Sequence, residues 1–126
     1  MSLTNSHLSM NIEEFRDHCL AKKGVTETFP FDEVTLVFKV MGKMFALCGL
    51  DHVPLRINLK CDPERAIDLR EEHDGIIEGW HMSKKHWNTV YLDQLAPKLL
   101  TELIDHSYDQ VVSKFTKKLK AELDAI

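Results

Sequence analysis

A β-branched run, an apolar run and a run of alternating apolar and polar residues in the first half of the chain predict three consecutive antiparallel strands. Two short turns, Met41 to Lys43 and Asp51 to Pro54, are placed to connect them. In the third strand, apolar residues alternate with Arg56, Asn58 and Lys60, so one face of that strand is expected to be polar and basic. The predicted strands are Val34 to Val40, Met44 to Leu50 and Leu55 to Lys60.

Helical periodicity, combined with start and stop residues, predicts three helices around these strands. Asn11 can cap the first helix, and Gly24 provides a left-handed stop after it. Asp62 and Pro63 form a strong start for the second helix. The predicted helices are Asn11 to Lys23, Asp62 to about Glu72, and a last helix that opens at Pro97, keeps an apolar stripe to Phe115 and carries lysines at its C-terminal end. Lysines at the end of the last helix are expected to complement its dipole and stay solvated, with a nucleic-acid arm as the alternative: Lys114, Lys117, Lys118 and Lys120.

The densest concentration of aromatic, cationic and titratable side chains is the segment Gly79 to Val90, GWHMSKKHWNTV. It predicts a hairpin or extended loop whose tip presents Lys84, Lys85 and His86 to solvent. The predicted parts are a strand over Gly79 to Met82, a bend over Ser83 to Lys85, and a second strand over Trp87 to Leu92.

The order of these elements is helix, three strands, helix, one or two strands, helix. Tight turns between strands indicate an antiparallel sheet, so the predicted class is α+β, a two-layer sandwich with the helices packed on one face. Residues 10–126 are expected to form a single domain, after a leader or tail at Met1 to Ser9. The connector Val25 to Asp32 contains Phe29-Pro30-Phe31, which is expected to plug the end of the core, with a binding corner as the alternative.

Composition limits the function classes. The chain has 44% hydrophobic and 29% charged residues and a net charge of −4, so any nucleic-acid binding must come from a local basic patch. Three cysteines, Cys19, Cys48 and Cys61, form no Cys-x-x-Cys pair and are expected to be buried reduced thiols. Neither a membrane-length apolar run nor a signal peptide is apparent, so a cytoplasmic location without membrane contact is expected.

Three blocks of the sequence resemble the hallmark blocks of the bacterial MmcQ/YjbR family. They are Asn58 to Glu64 (NLKCDPE), Gly79 to Val90, and Glu102 to Asp109 (ELIDHSYD). Trp80 stands where a tyrosine is more usual in that family, and Ser83 stands where an asparagine is. The resemblance covers about residues 10–118. It implies a frataxin-like (CyaY-like) sandwich and a DNA-binding protein with a double-wing arrangement of the sheet.

A DNA-binding hypothesis assigns phosphate contacts to Lys84 and Lys85, and stacking to Trp80 or Trp87. Weak binding with a shallow salt dependence is expected, because only a handful of phosphates can be reached. The alternative for the same segment is structural, with Trp87 in the core and Asn88 tying down a turn. The predicted nucleic-acid or ligand-binding residues are Arg56, Lys60, His81, Lys84, Lys85, His86, Trp87 and Asn88.

Two other classes of function stay open. A small-molecule or anion-binding protein, with or without enzymatic activity, would use a pocket between the hairpin and the last helix, containing His81, His106 and Tyr108. A protein–protein adaptor is the other class. The chain shows no nucleophile motif, no glycine-rich phosphate loop and no metal-ligand histidine pair, so no catalytic residue, metal or cofactor is predicted. His106 is expected to be a structural residue that bridges the last helix to the hairpin.

Overall fold

A six-stranded antiparallel sheet and four helices make up residues 9–126, the part of the chain that the computed structural model describes. The strand order is β1-β2-β3-β4-β6-β5. The strands are β1 (Val25–Thr28), β2 (Thr35–Val40), β3 (Lys43–Gly49), β4 (Arg56–Lys60), β5 (Ile76–Glu78) and β6 (Trp87–Tyr91). The helices are α1 (Ile12–Leu20), α2 (Pro63–Glu72), α3 (Pro97–Ser113) and α4 (Lys117–Asp124), with a 3-10 turn at Leu92–Gln94. The predicted α+β class is confirmed.

Two of the predicted helix starts are confirmed in atomic detail. Asn11 accepts a hydrogen bond from the Glu14 N–H, and the Glu14 side chain accepts one from the Asn11 N–H, which completes a capping box. Asp62 accepts a hydrogen bond from the Arg65 N–H and precedes Pro63 at the first helical position.

The main core lies between the four helices and one face of the sheet. Ser107, which is fully buried on α3, joins that helix to the two central strands. Its hydroxyl donates to the Phe45 carbonyl at 2.5 Å and accepts from the Lys60 N–H at 2.8 Å. Both bonds satisfy polar groups that would otherwise be buried without a partner, so they fix the position of α3 on the sheet.

The opposite side of the sheet, called the open face below, is covered by no helix among residues 9–126. A smaller apolar cluster lies there, formed by Val37, Leu47 and Trp87 with Met44 and Met82 packed against it. Met82 comes from the β5–β6 connection, which folds back over this face. The open face is therefore only partly shielded from solvent.

The segment Val25–Thr28 was predicted to be a connector, but it forms β1, the edge strand paired with β2. Its residues are mostly polar, so it lacks the apolar alternation that identified the other strands. Phe29 and Phe31 follow β1 and are 46% and 64% exposed, so the prediction that they plug the core is wrong.

The single predicted C-terminal helix is two helices. Thr116 accepts a hydrogen bond from the Leu119 N–H at 3.1 Å and caps α4, which begins after the end of α3. Lys117 and Lys118 thus lie in the first turn of α4, and Lys120 lies within it, so their predicted role at a helix C-terminus is wrong. Among the helices described, none is both long and apolar enough to cross a membrane.

The predicted hairpin exists, but its first strand is displaced. β5 is Ile76–Glu78 rather than Gly79 to Met82, and it pairs with β6 on the side opposite β4. The ladder closes where the Gly79 N–H donates to the Trp87 carbonyl at 2.9 Å. Residues 79–86, called the 79–86 loop below, then connect the two strands without regular structure.

Candidate functional site

The strands described carry basic residues and no acidic ones on the open face. Side chains alternate between the two faces of a strand, so residues in register with Trp87 and Met44 point to the open face. Lys39, Arg56 and Lys60 occupy such positions. The carboxylates found on the strands described are Glu27 and Glu78, and both lie in register with residues of the helix-covered face.

Most of the other acidic residues lie in the helical layer. This segregation gives an acidic chain a sheet surface with an excess of positive charge. The acidic residues within helices are Glu13, Glu14, Asp17, Glu64, Asp68, Glu71, Glu72, Glu102, Asp105, Asp109, Glu122 and Asp124.

The backbone of Trp80 is fixed to the sheet by a closed set of three hydrogen bonds. Its N–H donates to Thr89 Oγ1 at 2.8 Å, and its carbonyl accepts from Asn58 Nδ2 at 3.1 Å. The Thr89 hydroxyl donates in turn to Asn58 Oδ1 at 2.6 Å. Thr89 and Asn58 sit opposite each other on β6 and β4, so the two central strands position the loop.

Two backbone features let the loop leave the sheet at this point. A Cβ on Gly79 would lie 2.8 Å from both the Cβ and the carbonyl oxygen of Trp87, so only glycine fits there. His81 has a φ of 58°, in the left-handed region where histidine is more frequent than most residues. The chain therefore turns sharply just after Trp80, and the Trp80 indole packs against Arg56 of the inner strand β4.

Arg56 and Trp80 form a cation–aromatic pair on the open face. The guanidinium carbon lies 4.0 Å from the centre of the Trp80 ring, and Nη2 lies 3.3 and 3.4 Å from the two ring nitrogens of His52. The His81 ring meets Trp80 edge-on at 5.2 Å. Within residues 9–126, Arg56 makes no salt bridge to a carboxylate. Its positive charge is therefore oriented but not neutralised.

A cavity of about 330 Å³ opens beside this pair. Asp32 lies on the β2 side of the cavity, two strands away from Arg56 on β4. It accepts hydrogen bonds from the N–H groups of Val34 and Thr35 and from the Thr35 hydroxyl, and these bonds lower the pKa of its carboxyl. The cavity thus has one cationic and one anionic end. Its apolar lining is Phe31, Met44, Leu47, Trp80 and Met82, and its polar lining is Asp32, Thr35, Gly49, His52, Arg56, Asn58 and His81.

The predicted cationic tip is exposed. Lys84, Lys85 and His86 all face solvent on the 79–86 loop. Lys84 Nζ lies 3.9 Å from a Glu78 carboxylate oxygen, but such an exposed pair is worth only about 0–1 kcal/mol and leaves the ammonium accessible. Arg70 donates to the Lys84 carbonyl at 3.3 Å, which holds the tip near α2.

Trp87 and Asn88 cannot be contact residues as predicted, because they are only 8% and 2% exposed. Trp87 packs in the open-face apolar cluster. Asn88 Oδ1 accepts from Arg70 Nη1 at 2.8 Å, and its Nδ2 donates to the Ala66 carbonyl at 3.3 Å, so it fastens α2 to β6. The structural alternative agrees with the structure for Trp87, whereas Asn88 is structural but holds a helix and not a turn.

The predicted pocket between the hairpin and the last helix does not form. His81 lies on the open face, whereas His106 and Tyr108 lie on α3 under the other face. His106 Nε2 accepts the Asp62 N–H at 3.1 Å, and burial, aided by the Arg65 charge, lowers the pKa of the imidazole. His106 therefore joins α3 to the start of α2, not to the hairpin. Tyr108 donates to the Lys23 carbonyl at 2.6 Å.

The cysteines show no sign of reactivity. Cys19, Cys48 and Cys61 are buried free thiols, and burial raises the pKa of each, to about 11 for Cys61. Among the residues described, no group of three or more histidine, cysteine, aspartate or glutamate side chains is arranged to hold a metal ion.

His52, Asn58 and Thr89 were not predicted as members of the site, and Phe31 was considered only in the alternative of a binding corner at Phe29-Pro30-Phe31. Asn58 is the polar member of the Arg56–Lys60 alternation, which is a local signal. His52 and Thr89 reach the site only through the pairing of strands and the packing of turns, so no local pattern indicates them.

Fold and surface together define the class of protein: a small α+β sandwich with a helix-covered acidic side and an open, basic, aromatic side. The YjbR family model matches residues 20–110, and the chain belongs to this family. Two curated relatives support this. Uncharacterized protein YjbR of Escherichia coli K12 is 34% identical over 82% of this chain and 89% of its own length. Uncharacterized protein YbdF of Escherichia coli O157:H7 is 39% identical over 71% and 75%.

Two solved structures of similar proteins have the same fold. The crystal structure of Deinococcus radiodurans protein DR2400, described as a DUF419 domain, is similar with a TM-score of 0.86 and 43% identity. That match covers 93% of this chain and 89% of the other. A Pseudomonas syringae protein is similar with a TM-score of 0.69 and 29% identity, covering 80% and 98%.

Proposed function

We propose that this protein binds DNA weakly through the open face of its sheet, with the 79–86 loop as the main contact. The observation that carries the proposal is the separation of charge: basic side chains on the open face and its loop, acidic side chains in the helical layer. A chain with a net charge of −4 needs such a separation to attract a polyanion.

The contact set differs from the one that the sequence predicted. Lys84 and Lys85 supply phosphate contacts from the loop, and Lys60 and Arg56 extend the basic surface along β4. Trp80, which is 47% exposed, takes the stacking role in place of the buried Trp87. Stacking on one indole needs an unpaired base, so single-stranded DNA is the preferred form.

The salt dependence follows from this small contact set. About four phosphate contacts to a single strand give a slope of about −3 in log K against log salt concentration, from about −0.7 for each phosphate. Low affinity at physiological salt is the consequence, and binding is best measured at low ionic strength.

The test is a fluorescence-anisotropy titration of labelled oligothymidylate at several salt concentrations. The double variant Lys84→Ala/Lys85→Ala should bind more weakly, with a slope shallower by about 1.4. The matched control is Lys117→Ala/Lys118→Ala, which removes two adjacent exposed lysines from α4 in the helical layer. The control should bind like the wild type.

Two outcomes contradict the proposal. One is the absence of binding at low salt. The other is an equal loss of affinity in the Lys84/Lys85 and Lys117/Lys118 variants, because binding would then depend on the net charge of the protein and not on the open face.

A further inference from the structure

We propose that the cavity beside Trp80 is a binding site for a small flat anion, a ring system that carries one carboxylate or phosphate group. Arg56 binds the anionic group, and Trp80 and Phe31 flank the ring. The proposal goes beyond DNA binding and does not depend on it. The cavity shares Arg56 and Trp80 with the proposed DNA surface, but Lys84 and Lys85 are not among its lining residues.

The cationic end of the site, which binds the anionic group of the ligand, is Arg56. Its guanidinium is stacked on Trp80 and lies beside His52, so its orientation is fixed before any ligand arrives. Among the residues described it has no carboxylate partner. Arginine carries five N–H donors in a rigid fork that matches a carboxylate or phosphate, and the His52 contact uses at most a small part of them.

The apolar part of the cavity lining is suited to the flat ring of the ligand. Leu47 and Met44 form the part of the lining contributed by β3, and Phe31 and Met82 contribute from the loops on either side. Methionine side chains adapt to the shape of a ligand at small cost. A volume of about 330 Å³ falls within the range of small-molecule sites, at its lower end.

The charge at the other end limits the ligand to one anionic group. Asp32 already accepts three hydrogen bonds that favour its ionised form. A second anionic group near Asp32 would be repelled, whereas a neutral or donating group is accepted there. Asn58 faces the cavity, but its amide is engaged by Trp80 and Thr89 and serves to hold the wall in place.

The first experiment compares acids with their neutral counterparts on the wild-type protein. The probes are 2-naphthoate against 2-naphthamide, and adenosine monophosphate against adenosine. Binding is followed by nuclear magnetic resonance of the indole N–H signals of Trp80 and Trp87. Each anion should bind at least about tenfold more tightly than its neutral counterpart, because a charge-assisted hydrogen bond is lost in the latter. The Trp80 signal should shift more than that of Trp87.

The second experiment uses variants with unchanged melting temperature. Arg56→Gln should lower the affinity for 2-naphthoate about tenfold and leave that for 2-naphthamide unchanged. Arg56→Lys keeps the charge but loses the planar guanidinium, which can bind an anion through two N–H groups and stack on Trp80. Its affinity for 2-naphthoate should therefore lie between those of the wild type and Arg56→Gln. Arg16→Gln is the matched control, since it removes an arginine that pairs with Glu27 on the helical side.

Equal affinity for acid and amide, a Trp80 signal that does not move, or an Arg56→Gln variant that binds like the wild type would each overturn the proposal. The acid–amide comparison needs no variant, so a misfolded substitution cannot mask the result. If 2-naphthoate or adenosine monophosphate binds and oligothymidylate does not, the small-anion site stands and DNA binding fails. The reverse result rejects the small-anion site alone.

Discussion

Replacing Thr89 with valine tests how the site is held together. Thr89 is fully buried, and its hydroxyl accepts from the Trp80 N–H and donates to Asn58 Oδ1. Valine has nearly the same shape as threonine but carries a methyl group in place of the hydroxyl, so both partners lose a hydrogen bond at once. The side chain of Trp80 itself is not altered, so any change at the site comes from the lost positioning.

The expected cost follows from the burial of the three groups. A buried polar group without a partner costs about 1–3 kcal/mol. Trp80 is exposed and Asn58 is half-buried, so water can replace part of what they lose. The expected loss in the free energy of unfolding is therefore about 1–2 kcal/mol. In a domain of this size, that corresponds to a fall in Tm of about 4–8 °C.

Amide hydrogen exchange at Trp80 is the most specific assay. In Thr89→Val the Trp80 N–H should exchange about 5–30-fold faster, the factor that corresponds to 1–2 kcal/mol. Thr89→Ser keeps the hydroxyl and should keep the protection of this amide, although the lost methyl group lowers the stability. Unchanged protection of the Trp80 amide in Thr89→Val would refute this account of the loop.

A double-mutant cycle adds a second check. Asn58→Ala removes the other end of the same hydrogen-bond set, so its effect on stability and that of Thr89→Val should be less than additive. Additive effects would show that the two side chains act independently.

Two further predictions concern residues that the sequence placed at or near the site. Asn88→Ala should lower the free energy of unfolding by about 1–3 kcal/mol in urea denaturation, because it removes the bonds of the buried Asn88 to the Arg70 side chain and the Ala66 carbonyl, while the folded variant binds oligothymidylate like the wild type. His106 has a lowered pKa in the folded state, so its contribution to stability is complete above about pH 6.5 and is lost as the pH falls towards the folded-state pKa. Urea midpoints at pH 7.5 and 5.5 should therefore differ more in the wild type than in His106→Gln, and equal differences would contradict the role of the Asp62 N–H bond.

Elements with strong periodicity or end signals could be predicted from the sequence. The cap at Asn11 and the Asp62-Pro63 start are local chemistry, so a single stretch of chain contains all the information. β1 was missed because an edge strand with polar residues gains its identity from pairing with β2, which the local pattern does not show. The division between α3 and α4 was missed because the apolar stripe continues across Thr116.

The site was harder to predict for a related reason. The sequence showed that aromatic and basic residues concentrate between positions 79 and 90, but not which of them face solvent. Trp87 and Asn88 are neighbours on β6, so their side chains point to opposite faces of the sheet, and both are buried there. The partners of Trp80, namely Arg56, Asn58 and His52, depend on how β4 pairs with β6 and on the turn before β4.

The most direct test of the open face as the binding surface is a backbone chemical-shift map of the labelled protein titrated with oligothymidylate at low salt. The account predicts that the largest changes fall on β4, β6 and the 79–86 loop, with little change in α1 and α3. Changes concentrated on the helical layer, or none at all, would contradict it.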